Sequence, residues 1–158
     1  MSTQARLDYM KHGPAAVKAL YAVEMFIMKC GLERSLLHLI KLRASQINGC
    51  AFCIDMHSHE AIVDGEDATR LFMLSVWEET DIFTERERVA LAWTEAVTRI
   101  ADGAPSDDLF ARARQAFTEE ELVNLNLAVA TINAWNRFGK TFQSPPLLKG
   151  LRKAEAHA

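Results

Sequence analysis

Cysteine is scarce in this chain, with three residues in 158. Two of them sit in a single C-x-x-C, a distribution that suits redox or metal chemistry and not a set of structural staples. Long apolar runs are missing too. The longest, around Ala15 to Met28, is interrupted by Lys18 and Glu24 and falls short of the roughly 20 residues that span a bilayer. No excess of one charge exists either: the formal net charge is -3, with basic residues scattered among acidic ones. That leaves no electrostatic footprint for nucleic acid or an anionic membrane, and a neutral or small partner fits better. The N-terminal stretch MSTQARLDYMK lacks the apolar core of a signal peptide, so we expect a cytoplasmic protein whose thiols are kept reduced.

What is present is ordinary soluble-protein composition, 49% hydrophobic and 25% charged, which argues against disorder. Without a linker of domain-boundary character or an internal repeat, residues 1–158 are expected to form one domain, long enough to bury its own core. Clusters of β-branched residues are rare, and nearly every segment has helical periodicity, so the fold class is all-α. Helices are expected from about Pro14 to Lys29, Glu33 to Gln46, Cys50 to Val63 and Asp67 to Glu78. Three more are expected from Glu85 to Ile100, after Pro105-Ser106, and from Glu119 to Arg137. Thr84 with Glu87 and Thr118 with Glu121 have the spacing of capping boxes. Asn48-Gly49 and Asp64-Gly65 act as breaks, and the tail after Pro145-Pro146 is expected to be loosely held.

The chemistry concentrates in QINGCAFCIDMHSHE, residues 46–60. On a helix advancing about 100° per residue, Cys53 lies roughly 60° from Cys50 and His57 roughly 20° from it, whereas His59 falls about 180° away. A thiolate at a helix start is stabilised by the unpaired N–H groups and the dipole there, and thiols in that setting have lowered pKa values. Side chains three apart have Cβ atoms about 5–6 Å apart, against about 3.5–4.5 Å in a disulfide. A bridge between the two cysteines therefore needs some adjustment of the first turn and is easily reduced. Two other readings of the same residues stay open. The cysteines could be small buried hydrophobes, or, with His57 and His38, ligands of a zinc ion. Cys30, beside an apolar run and a cap glycine, reads as a core residue. The segment INAWNRF reads first as oligomer packing, and most of the large aromatics as core or subunit contacts.

Cys50-Ala51-Phe52-Cys53-Ile54-Asp55-Met56-His57 resembles the core motif of the AhpD-like alkylhydroperoxidases, within the carboxymuconolactone decarboxylase superfamily. KLRASQINGCAFCIDMHSHEA, LSVWEETDIFTERERVALAWTEAVT and INAWNRF extend the likeness over most of the chain from Leu36 to Phe138. The resemblance implies an AhpD-like helical bundle with the C-x-x-C at the N-terminus of a central helix, assembled as a homo-oligomer, commonly a trimer or hexamer. It implies a peroxidase cycle in which Cys53 attacks a hydroperoxide, Cys50 resolves the sulfenic acid to a disulfide, and His57 relays a proton. An external thiol, such as a lipoyl group on a partner protein, would restore the pair, with no bound cofactor or metal. Two positions depart from the pattern: His38 stands where the family often has glutamate, twelve residues before the first cysteine, and Phe52 where well-characterised members have histidine. Both affect proton handling, and His38 is a base in its own right near neutral pH. A decarboxylase-like enzyme for a small lactone and an oligomeric redox-sensing module are the alternatives.

Overall fold

A computed structural model describes residues 4–148. Among them every regular element is helical: α1 (Tyr9–His12), α2 (Pro14–Ile27), α3 (Arg34–Asn48), α4 (Ala51–Val63), α5 (Ala68–Met73), α6 (Glu85–Thr98), α7 (Asp107–Ala116) and α8 (Glu119–Thr141), with short 3-10 segments at Leu74–Glu79 and Ile100–Asp102. No described helix is long and apolar enough to cross a membrane.

The helix starts follow local chemistry. Thr84 and Thr118 close both capping boxes: each hydroxyl accepts the N–H of the glutamate three residues on, and each glutamate accepts the threonine N–H at 2.8 Å. Gly49 ends α3 in the left-handed region, φ 62°, where a side chain would be strained.

α3 is the most enclosed helix because two of its flanks are apolar. Leu36, Leu37 and Ile40 join a core made with Ile27, Val89, Trp93, Phe117, Leu125 and Val129. Leu39 and Leu42 join a second core with Ala61, Leu71, Leu74, Trp77, Phe83 and Leu91. The remaining flank of α3, Arg34, His38, Lys41, Ser45 and Asn48, is polar and turns toward α2, α4 and α8, as its hydrogen bonds show. Burial of the apolar flanks fixes the direction of the polar one.

Three expectations change. The helix anticipated from Asp67 to Glu78 breaks: Val76 leaves helical geometry at φ -126°, ψ 32°, inside the 3-10 segment. Tighter winding brings residues three apart to one side, and Leu74 and Trp77 are both buried there. Trp77 Nε1 donates to Glu95 at 2.8 Å, and Arg88 caps the carbonyls of Trp77 and Thr80. α8 runs beyond Arg137 to Thr141, straight through Gly139. The start of the tail is held, with Leu148 N donating to Asp55 Oδ2 at 2.8 Å; the rest of it lies outside the described residues.

The cap of α8 gives a direct test of this account. Thr118→Ala should lower stability by about 1 kcal/mol, read from urea unfolding as a shift in midpoint with an unchanged slope. An unchanged midpoint would mean the cap contributes nothing.

Candidate functional site: a thiol pair at an apolar cavity

Cys50 is the residue just before the first turn of α4, its N–H bonded to Ser45 O at 3.0 Å, and Cys53 lies in that turn. The left-handed Gly49 delivers the chain from α3 into this position. Both thiols are free and buried, and their sulfurs are 2.8 Å apart. One thiol proton bridges them, and the two ionise as a pair. The first ionisation falls to about 6 at Cys50, chiefly through the hydrogen bond with Cys53. The Asn136 side chain and the Lys140 ammonium, both from α8, lower it further, against the cost of burial. Cys53 is pushed far up, first by its bond to Cys50, then by burial and by the negative charge on its neighbour.

α8 approaches this pair closely. A Cβ on Gly139 would lie 2.9 Å from Cys50 Sγ and 3.7 Å from Cys53 Sγ, so only glycine leaves both sulfurs where they are. Asn136 is fully enclosed. It donates to Ser45 Oγ at 3.0 Å and accepts from Asn48 at 2.8 Å, while Asn48 also donates to Asn133 at 2.9 Å. The two asparagines of INAWNRF thus face inward and support the thiol site, whereas Arg137 is exposed. A buried amide without partners costs about 1–3 kcal/mol, and both asparagines find their partners inside the protomer.

Above the thiols lies a cavity of about 770 Å³, bordered by Cys53 and His57 but not by Cys50. Its wall is mostly apolar: Met10, Met25, Met28, Met56, Tyr21, Phe52 and Trp135. The segment before α2 closes one side. Arg6 N donates to Phe142 O at 2.8 Å, and Tyr9 packs on Phe138 and Phe142 with ring centroids 5.2 and 5.7 Å apart. Burial raises the Tyr9 pKa, and the charges of Cys53 and Cys50 add to that, so the phenol keeps its proton.

Most of the ionisable groups of the cavity are matched with an opposite partner. His57 is buried, its Nδ1 3.0 Å from Glu60 Oε2, while its Nε2 is buried without a hydrogen-bond partner. His38, also buried, places Nε2 2.6 Å from Asp64 Oδ2, the oxygen that also receives Arg34 Nε at 2.5 Å. Lys41 pairs with Glu24. The hydrogen bond with His57 draws the Glu60 pKa down most, with Lys41 and His38 adding to it; the bonds to His38 and Arg34 do the same for Asp64. Both carboxylates are therefore charged at neutral pH.

The structure thus brings Cys50 and Cys53 into contact and sets His57 and His38 on the cavity they share with Cys53. The two histidines bind separate carboxylates, and neither bonds to a sulfur. His59, expected to face away from the site, also borders the cavity, which extends beyond the α4 stripe. Among the described residues no three His, Cys, Asp or Glu side chains are grouped to hold a metal ion. Glu60, Tyr9, Asn136, Gly139 and Lys140 are the contributors a reading confined to the C-x-x-C and its histidine misses. Only Glu60 carries a local signal, since it continues the helical spacing of Cys53 and His57.

Comparison with known sequences shows that the pattern of the carboxymuconolactone decarboxylase family matches residues 14–96, a span that includes the thiol pair and both histidines. The chain belongs to that family. The uncharacterised Bacillus subtilis protein YdfG is 38% identical over 132 residues, covering 84% of this chain and 90% of YdfG. Among solved structures, an Agrobacterium tumefaciens protein of unknown function, suggested to be the antioxidant defence protein AhpD, superposes with a TM-score of 0.89. It is 44% identical and covers 92% of this chain and all of its own. This carboxymuconolactone decarboxylase family member therefore has the AhpD-like helical fold. The debrominase Bmp8 shares the fold at a TM-score of 0.79 and 20% identity, over 88% of this chain and 75% of Bmp8.

Gly139→Ala tests the dependence of the thiol pair on α8. The methyl group displaces the sulfurs and weakens the contact that lowers the first pKa. The thiolate absorbance should then titrate at a higher pH than in the wild type, and an unchanged midpoint would show that the packing does not control the pair.

Proposed function

We propose that this protein is a thiol-dependent peroxidase that reduces organic hydroperoxides, turning its two cysteines over through a disulfide. The observation that carries the reading is one sulfur of a proton-sharing thiol pair bordering an apolar cavity beside a histidine with a free ring nitrogen. The kinship with a suggested AhpD supports it.

Cys53 is the attacking residue because it is the sulfur at the cavity. In the resting pair the negative charge lies toward Cys50, so Cys53 must first give up its proton, and His57 receives it. The Cys53 thiolate then attacks the terminal peroxide oxygen. An S–O bond forms as the O–O bond breaks, sulfur loses two electrons to the peroxide, and the alkoxide leaves with the bonding pair and takes the proton from His57. The Cys50 thiolate attacks the sulfur of the sulfenic acid, closing the disulfide and expelling hydroxide, which takes a proton from solvent to leave as water. An external dithiol, such as a lipoyl group on a partner protein, exchanges with the strained bridge and restores both thiols. No bound cofactor enters the cycle.

A cavity of about 770 Å³ is of the size that holds a small organic ligand, roughly 300–1,000 Å³. It far exceeds what hydrogen peroxide fills. Bulky neutral hydroperoxides are the substrate class it suits, and the methionines of its wall adapt readily to different shapes. The exposed Tyr21, Met25 and Phe26 of α2, with Met28 just after it, support assembly into a homo-oligomer, of which trimers and hexamers are the expected forms.

Steady-state reduction of cumene hydroperoxide with dihydrolipoamide as reductant tests the assignment. Cys53→Ser should abolish turnover. Cys50→Ser should stop after one round, leaving a sulfenic acid on Cys53 that a dimedone adduct marks. The wild type should prefer cumene hydroperoxide to hydrogen peroxide in kcat/KM. Full activity in Cys53→Ser would refute the assignment.

A further inference from the structure

The AhpD-like pattern often has glutamate at position 38, and this chain has His38 there. A histidine in either protonation state offers no negative charge to an imidazolium, and His38 Nε2 is already committed to Asp64 at 2.6 Å. The structure supplies a carboxylate from another place. Cys50, Cys53, His57, Glu60 and Asp64 follow one another at intervals of three and four along a single face of α4, and Glu60 Oε2 lies 3.0 Å from His57 Nδ1.

We propose that Glu60 is the positioning carboxylate of His57, accepting Nδ1–H so that Nε2 is left as the proton-accepting nitrogen. Three observations support this. The histidine side chain is buried, so its ring is held by packing and needs only one directional bond to set its tautomer. Its Nε2 has no partner in the protein, as a nitrogen reserved for exchange with substrate would have. The Glu60 side chain is 49% exposed, which helps to keep it ionised. Lys41 and His38 from α3 face the same carboxylate and favour its charged form. The arrangement follows the general pattern in which a base within reach of the reacting atom is itself oriented by a third group.

For its activity readout the inference rests on the peroxidase reading, so two measurements are needed. Ring-nitrogen NMR of labelled protein reports the tautomer of the neutral His57 ring, whatever the protein's substrate. The wild type should show the Nδ1–H form, Glu60→Ala a shift toward Nε2–H, and Glu60→Asp a return toward the wild-type signal. In the peroxidase assay Glu60→Ala should lower kcat/KM by about 10–100-fold, by analogy with the loss when the partner that orients a metal-binding histidine is removed. In a His57→Ala background the same change should cost nothing more. An unchanged tautomer in Glu60→Ala, or an equal loss with and without His57, would overturn the proposal. Were the wild type to reduce no hydroperoxide, the peroxidase reading would fall, and the tautomer would still decide the role of Glu60.

Discussion

The contact between α8 and the turn that enters α4 is the constraint on which the site depends. Two sulfurs 2.8 Å apart share a proton only while both are buried and while the charge that remains has donors to meet it. Gly139 provides the space, Asn136 an amide, and Lys140 a positive charge. None of these lies near the C-x-x-C in sequence. They arrive because α8 packs along α3, and α3 lies there because its two leucine-rich flanks are buried in separate cores. The thiol pair is thus coupled to the packing of the whole bundle.

The cavity keeps most of its ionisable groups in matched sets: His57 with Glu60, His38 with Asp64 and Arg34, and Lys41 with Glu24. Unpaired charges against an apolar wall would be costly. Paired ones leave the space suited to a neutral guest while holding proton-exchanging groups beside Cys53. This division of labour, an apolar volume for binding and one polar seam for protons, suits a reaction whose net charge does not change.

Much of this was legible in the sequence wherever the determining forces are local. Helical periodicity and the two threonine–glutamate boxes place most of α2 through α8, and helical spacing groups Cys50, Cys53 and His57. The departures have tertiary causes. The 3-10 geometry around Val76 follows from burying Leu74 and Trp77 together, and the end of α8 is hidden because glycine ordinarily weakens a helix, while here it makes room for sulfur. α1 has four residues and too little pattern to read. Glu60 was available from spacing alone, whereas Tyr9, Asn136 and Lys140 reach the site only through long-range packing.

The central claim is that the two sulfurs cycle between a proton-sharing pair and a disulfide. Its most direct test is to reduce the protein, add one equivalent of cumene hydroperoxide without any reductant, and map the cysteines by peptide mass. Peroxide should be lost stoichiometrically, with a Cys50 to Cys53 disulfide formed and Cys30 untouched. Persistent peroxide with both thiols still free would contradict it.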